Sequence, residues 1–215
     1  MSRTYLSEVS QTSLSSMIAA FLLNNRHQIT ESEVSDYLII DQPDINNPVE
    51  NKERWIIFKN KFWLFSRFLP PCDWFECKII APQCFRFIEI INEVSWFHNI
   101  PESNRLVTNL SFISTEQQKH KAKIDTLIEC GIENFINQKN LILIGKYDSD
   151  KLSLIDGNHR FAAIYKALEA SASVQFPLNA IIGLTYGNCR WMGDNDIWEE
   201  RPSLNEEKRY VLNIW

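Results

Sequence analysis

The most constraining feature of this sequence is an abrupt passage from a strand pattern to a helix pattern between residues 152 and 168. The strand pattern is a short apolar run made of Leu152, Leu154 and Ile155. After only five intervening residues, apolar side chains recur at Phe161, Ile164, Tyr165 and Leu168. The spacing i, i+3, i+4, i+7 is that of one face of a helix. The sequence therefore predicts a strand-turn-helix unit with a very short connection.

The connecting turn reads Asp156-Gly157-Asn158-His159-Arg160. Gly157 permits a backbone conformation that other residues resist, and His159 and Arg160 then fall in the first turn of the helix. A cation in that turn adds to the positive end of the helix dipole and costs a few tenths of a kcal/mol. A bound anion would make the arrangement favourable, because backbone N–H groups, an imidazole and a guanidinium would converge on it. The turn therefore predicts a phosphate site at residues 157–160.

A purely structural interpretation of the same turn remains open. Asp156 can cap the turn, and Arg160 can form an ion pair with Asp156 or with another acidic side chain. In that case the residues of the turn stabilise the fold and need no ligand.

The segment LSLIDGNHRFAAIYKAL resembles the signature of the ParB/sulfiredoxin-like superfamily. In that superfamily a strand leads into a D-G-x-H-R-like turn and a helix with small residues, here Ala162 and Ala163. The resemblance covers roughly residues 105–186, and it implies a nucleotide or phosphate at the N-terminus of the helix. Asn158 stands where sulfiredoxin has its reactive cysteine, so reduction of sulfinic acids is not expected.

Within the superfamily the turn is most similar to the D-G-H-H-R pattern of the free-serine-kinase-like branch, with Asn158 in place of the first histidine. The resemblance implies that the phosphoryl group is bound by Gly157, Asn158, His159 and Arg160. It also implies that Asp156 orients the site or a metal, that His159 is catalytic, and that ATP or ADP with Mg²⁺ are the cofactors.

A kinase also needs a carboxylate or another base at the acceptor hydroxyl. In the serine-kinase-like branch a glutamate follows the first strand of the domain, and Glu116 is the nearest match in this sequence. Glu116 is therefore a candidate catalytic residue. Alternatively, it is an acid in the first turn of a helix, where the dipole favours negative charge.

These observations lead to an expected function of nucleotide-dependent phosphotransfer to a small hydroxyl-bearing substrate. The alternatives are a nucleotide-binding, DNA-associated protein or nuclease of the same superfamily, and an interaction module that has lost the chemistry. The net charge of −5 argues against a protein that coats nucleic acid. The basic run KHKAK at 119–123, which contains His120, can contact nucleic-acid phosphates or form a solvated helix face.

The rest of the pattern predicts an α+β fold, with a small mixed β-sheet and packed helices, plus an N-terminal extension that is mainly helical and rich in aromatic residues. Strands are predicted at 74–80, 106–114, 141–147, 152–155 and 179–186. Helices are predicted at 12–26, 82–97, 116–130 and 159–169. Residues 54–69 fit either two strands or a buried helix. The predicted domains are 1–104 for the N-terminal extension and 105–215 for the nucleotide-binding domain, which ends in a C-terminal helix that starts near Ser203.

Cysteine usage and hydropathy bear on location. The five cysteines show no C-x-x-C spacing, which argues against a zinc ribbon or a redox dithiol. Reduced thiols are typical of the cytoplasm, so a cytoplasmic location is expected. The apolar run at Met17–Leu23 has seven residues, whereas a membrane span needs about 20. No membrane partner is expected.

Overall fold

A computed structural model describes residues 3–91, 105–110, 112, 115–134, 139–170, 174–189 and 192, with only the backbone at residues 64 and 116. Six strands form one mixed sheet in the order β1-β2-β6-β4-β5-β3. They are β1 Leu6–Thr12, β2 Asp73–Ile79, β3 Ile88–Glu89, β4 Leu141–Lys146, β5 Leu152–Asp156 and β6 Leu178–Thr185. The sheet is accompanied by helices, which confirms the α+β fold class.

The described residues form six α-helices and four short 3₁₀ segments. The helices are α1 Leu14–Asn24, α2 Leu38–Asp41, α3 Pro48–Lys61, α4 Trp63–Phe68, α5 Thr115–Glu129 and α6 Asn158–Glu169. The 3₁₀ segments are Arg26–Gln28, Pro82–Arg86, Val107–Asn109 and Ile132–Asn134. No helix in these described stretches combines the length and the apolar character that crossing a membrane requires.

Strand β4 is the buried centre of the sheet. It pairs in parallel with β6 and antiparallel with β5, and its residues 141–145 are all buried. A strand that is apolar at successive positions is covered on both faces. The antiparallel pairing brings the beginning of β4 beside the end of β5, where the turn into α6 begins.

Helices α1 to α4 form an insertion between β1 and β2, and aromatic rings hold it together. The ring of Phe21 in α1 lies 5.1 Å from that of Phe58, 5.0 Å from Phe62 and 5.2 Å from Phe65, measured between centroids. Residues 54–61 belong to α3 and residues 63–68 form α4, so this stretch is helical and does not form two strands. The helical, aromatic-rich character of the N-terminal region agrees with the expectation.

Strand β1 had no clear signal in the sequence. Its side chains are exposed or only half-buried throughout, so it lacks the apolar alternation by which a half-buried strand is usually found. It is defined instead by antiparallel pairing with β2, in a register that joins Leu6 to Ile79 and Thr12 to Trp74. Edge strands of this kind depend on long-range pairing that local sequence does not specify.

Two predicted elements are wrong where the structure describes them. The helix expected at 82–97 is a 3₁₀ segment followed by β3, which pairs in parallel with β5 through Ile88 and Leu152. The apolar residues of this stretch are spaced for a helix, but among the described ones Ile88 and Ile91 are buried at the edge of the sheet instead. The strand expected at 106–114 is a single bridge from Leu106 to Glu89, followed by a 3₁₀ segment.

A buried ion pair lies at this edge of the sheet. The guanidinium of Arg105 lies 2.7 Å from a carboxylate oxygen of Glu89 and donates a 2.8 Å hydrogen bond to the carbonyl of Ile90. Both charged side chains are almost fully buried. Arg105 thus binds the end of β3 directly before the single bridge between Leu106 and Glu89.

The sheet contains strands from both of the predicted domains, 1–104 and 105–215. Strands β1, β2 and β3 come from the first part of the chain, and β4, β5 and β6 from the second. Residue 104 itself, and the C-terminal helix expected near Ser203, lie outside the described residues.

Candidate functional site

The predicted turn lies at the end of β5 and leads directly into α6. Gly157 has φ +92°, which is left-handed backbone, and it is the N-cap residue of the helix. A Cβ at this position would lie 2.5 Å from Cδ2 of Leu141. Glycine is therefore required here for its backbone conformation and for the close approach of β4.

Arg160 points into the protein and holds the turn against the chain that leads into β4. Its Nη1 donates to the carbonyl of Lys139 at 2.7 Å, and its Nη2 donates to the carbonyl of Asn140 at 2.9 Å. Nη2 also lies 3.6 Å from Oδ2 of Asp156. The structural alternative for these two residues, an ion pair within the turn, is thus present in the structure. Burial lowers the pKa of Arg160, and three acceptors satisfy its charge.

Asp156 is also bound by residues from far away in the sequence. Nδ2 of Asn24 donates to Oδ2 of Asp156 at 2.5 Å, and Nδ2 of Asn25 donates to Oδ1 at 3.4 Å. Lys139 completes the cluster, because its Nζ donates to the carbonyl of Asn24 at 3.0 Å. The two oxygens of Asp156 therefore join the end of β5 to the end of α1.

Asn158 is buried and turned away from the helix axis. Its Oδ1 accepts a 2.9 Å hydrogen bond from the backbone N–H of Ile91. The side chain therefore ties the start of α6 to the chain that follows β3, and it does not cap the helix. Since Gly157 has no side chain, no side-chain cap closes the N-terminus of α6.

His159 lies in the first turn of α6 and contacts His120 of α5. Nε2 of His159 is 2.8 Å from Nδ1 of His120, and the ring centroids are 5.0 Å apart. Burial lowers the pKa of His159 to about 3, with further lowering by His120 and Lys123. His159 is therefore neutral at physiological pH. His120, expected either on a solvated face or on nucleic acid, instead lies between the two helices.

Glu116 lies in the first turn of α5, directly after Thr115. Its position is four residues before His120, which is about one helical turn. The structure describes its backbone only, so the catalytic role of Glu116 remains a prediction.

The charges at the start of α6 are balanced within the protein. Arg160 is neutralised by Asp156 and by two carbonyl groups, and His159 carries no charge at pH 7. The positive charge from which a bound anion was expected is therefore largely compensated. The remaining support for an anion is the N-terminus of α6, whose N-cap has no side chain.

Mg²⁺ has no side-chain cluster to hold it in the described part of the chain, where no group of three His, Cys, Asp or Glu side chains comes together. Asp156 is a poor ligand for a cation, because Arg160 faces it and amide groups contact both of its oxygens.

All five cysteines are free thiols.

A groove of about 460 Å³ lies at the other end of α6. Its lining is mostly apolar and comprises Pro82, Phe85, Arg86, Leu106, Thr108, Tyr165, Leu168 and Glu169. Tyr165 and Leu168 are six and nine residues after His159, about 9 and 14 Å along the helix. The groove is therefore separate from the turn at residues 156–160.

Comparisons with protein-family models, with curated proteins and with solved structures find no match for this chain. The geometry of the turn and the two histidines are therefore the basis on which a function can be argued.

We expect Gly157→Ala to destabilise the fold by about 2 kcal/mol, because an L-residue is strained at this φ and the new methyl group meets Leu141. Urea unfolding measures the change. Gly187→Ala is the matched control, since Gly187 is exposed and its Cβ would make an ordinary contact of 3.4 Å with Thr185. Equal losses in the two variants would show that the turn is not constrained in this way.

Because the pKa of His159 is lowered in the folded protein, we expect the protein to lose stability in acid. This pKa is about 3 in the folded protein and 6.5 ordinarily, so the unfolded chain binds the extra proton as the pH falls below 6.5. The stabilising contribution is complete above that pH and is lost progressively toward pH 3.

Between pH 7 and pH 5 the loss should be about 2 kcal/mol, measured by urea unfolding at each pH. His159→Gln should lack this part of the pH dependence. His27→Gln, which removes an exposed histidine, should keep it. A wild-type slope in His159→Gln would contradict the assignment.

Proposed function

We propose that this chain is a nucleotide-dependent phosphotransferase that acts on a small hydroxyl-bearing substrate, with the phosphate bound at the start of α6. The observation that carries the proposal is His159: a neutral imidazole in the first turn of a helix whose N-cap is a left-handed glycine. Because Nε2 of His159 is engaged with Nδ1 of His120, Nδ1 of His159 is the nitrogen proposed to accept a proton from the substrate.

The N-terminus of α6 supports anion binding. The helix has 12 residues, its N-cap has no side chain, and the side chain of Asn158 is directed to Ile91. The first N–H groups of such a helix point along its axis, where the dipole favours negative charge. Backbone N–H groups of Gly157, Asn158 and His159 are therefore the proposed phosphate donors.

The remaining residues of the turn are proposed to position these groups. Arg160 and Asp156 fix the turn to the beginning of β4, and Asn158 fixes it to the chain after β3. A rigid turn presents its donors without further loss of conformational entropy on binding, which favours a preorganised anion site.

His159 is the proposed base for the transfer. In the free protein its pKa is too low for efficient proton abstraction near pH 7. A phosphate beside the ring favours the charged form and raises that pKa toward neutrality. The acceptor hydroxyl then attacks the γ-phosphorus of ATP and loses its proton to His159, while the bond to the β-phosphate oxygen breaks and ADP leaves. Glu116 is the alternative base.

ATP or ADP is proposed as the nucleotide, and Mg²⁺ as an ion carried mainly by the nucleotide's own phosphates, as is common for this ion. No described side chain is assigned to Mg²⁺, because Asp156 is already committed to Arg160 and to the two asparagines.

A second candidate, a nucleotide-binding, DNA-associated protein or nuclease, is favoured by the position of the basic run at 119–123. The contact of His120 with His159 places Lys119, Lys121 and Lys123 on the helix that adjoins the turn. Lys121 is already paired with Asp125, and the net charge of −5 opposes broad binding to DNA. The phosphotransferase is therefore preferred.

Thermal unfolding with ATP, ADP or CTP, each with and without Mg²⁺, tests the binding site. At a ligand concentration of about 100 Kd, binding adds about 2.7 kcal/mol of stability, or roughly 5–10 °C in Tm for a chain of this size. His159→Ala should abolish the shift, and His27→Ala should retain it. Arg160→Ala is a poor probe, because it removes the anchor of the turn itself.

If no nucleotide raises the Tm of the wild-type protein, the proposed site is wrong. Where a shift is found, incubation with γ-labelled ATP and a metabolite pool, and in parallel with plasmid DNA, separates the two candidates. A labelled metabolite supports the phosphotransferase. Nicked DNA without any labelled metabolite supports the nuclease.

A further inference from the structure

The groove at the end of α6 is formed by parts of the chain that the candidate phosphate site does not use. Its lining comes from the last two turns of α6, from the 3₁₀ segment Pro82–Arg86 and from the chain at residues 106–108. The volume of about 460 Å³ lies within the range of pockets that bind small molecules, and most of the lining is apolar. The groove is therefore large enough to accept a ligand with two fused rings.

Two aromatic rings of the lining are held against each other. Phe85 is 6% exposed, and its ring lies 5.2 Å from that of Tyr165 at an interplanar angle of 61°, which is an edge-to-face arrangement. Phe85 also packs on the buried ring of Phe161, with 4.7 Å between the centroids. Rings fixed in this way offer further edges and faces to an aromatic ligand. The lining therefore favours a planar aromatic body over a flexible aliphatic chain.

The eight lining residues include one cationic side chain, Arg86, and one anionic side chain, Glu169. The carboxylate of Glu169 accepts a 2.7 Å hydrogen bond from the hydroxyl of Tyr165, one helical turn earlier. The exposed guanidinium of Arg86, by contrast, forms no ion pair and no side-chain hydrogen bond within the part of the chain that the structure describes. A guanidinium presents two parallel N–H groups that match a carboxylate. Arg86 therefore provides the groove with a donor for an anionic group.

We propose that this groove binds an aromatic carboxylate, whose rings lie against Phe85 and Tyr165 and whose carboxylate accepts hydrogen bonds from Arg86. Glu169 is the last residue of α6, so its charge and the negative end of the helix dipole both disfavour an anion at that end of the groove. The two lining charges thus set one orientation, with the carboxylate toward Arg86 and the rings toward α6. The proposal does not depend on the function proposed for the turn at residues 156–160.

Three naphthalene probes that differ in charge test the proposal: 2-naphthoate is an anion at pH 7, 2-naphthamide is neutral, and naphthalen-2-ylmethylamine is a cation. Each is titrated into the wild-type protein and followed by proton–nitrogen NMR. Naphthoate should bind about tenfold more tightly than the amide, because its hydrogen bonds to Arg86 join two charged groups. The amine should bind more weakly than the amide. The largest shifts should occur at the backbone N–H groups of Phe85, Arg86, Thr108 and Leu168.

Variants at the two lining charges make the test specific. Arg86→Glu should reverse the preference, so that the amine binds more tightly than naphthoate. Lys59→Glu makes the same change in net charge at an exposed position of α3 outside the groove, and it should keep the wild-type preference. Glu169→Gln should bind naphthoate about twofold more tightly, since it removes a like charge that is largely screened by solvent. The melting curve of each variant establishes that it is folded.

Three results would overturn the proposal. These are the absence of saturable naphthoate binding to the wild-type protein, equal affinities for the three probes, and a wild-type preference that persists in folded Arg86→Glu. Shifts at residues 157–159 in place of the groove would also overturn it, because naphthoate would then bind at the start of α6. Failure of nucleotides to bind at that turn, with naphthoate bound in the groove, would refute the proposed function alone.

Discussion

The candidate site depends on the hydrogen bonds and the ion pair that the guanidinium of Arg160 forms. It joins the end of β5, through Asp156, to the carbonyl groups of Lys139 and Asn140 at the beginning of β4. Neighbouring antiparallel strands already bring these two chain segments together, but backbone pairing alone does not fix the direction in which α6 leaves the sheet. The fork of a guanidinium can bind several acceptors in one plane, which a lysine cannot do. The start of α6 is thereby held at a defined angle to the sheet.

The same interaction changes the electrostatic argument for a ligand. The sequence places His159 and Arg160 at the positive end of a helix dipole, where a bound anion would make a cation favourable. In the structure one of them is neutralised internally and the other, His159, is uncharged. The proposed phosphate site therefore depends on the N-terminus of α6, whose N-cap has no side chain, and on the neutral imidazole of His159. Repulsion between unpaired charges does not contribute to this expectation. The fold is stable without a bound anion, and an anion would bind there as a ligand.

The parts of the fold that could be predicted are those where local pattern and packing agree. The β4–β5 hairpin has two apolar runs on either side of a polar turn, α6 has strong apolar periodicity, and Gly157 in the short connection permits a backbone conformation that other residues resist. Where elements depend on distant partners, the sequence was insufficient. Strand β1 has no buried face of its own, and β3 is defined by the pairing of Ile88 with Leu152 at the edge of the sheet.

In the site, residues 156–160 were found from their motif, but the asparagines that bind Asp156 and the histidine that contacts His159 were not. Asn24 is separated from Asp156 by 132 residues, and no local spacing indicates such a contact.

The position of Asn24 gives the N-terminal insertion a part in the site. Asn24 is the last residue of α1, the helix that packs on the aromatic cluster through Phe21. It reaches Asp156 at the point where β5 ends, and its carbonyl accepts from Lys139 at the point where β4 begins. Because Asp156 in turn neutralises Arg160, the charge balance at the start of α6 depends on α1 as well as on the sheet. The insertion therefore supplies part of the cluster that holds the turn at residues 156–160 in place.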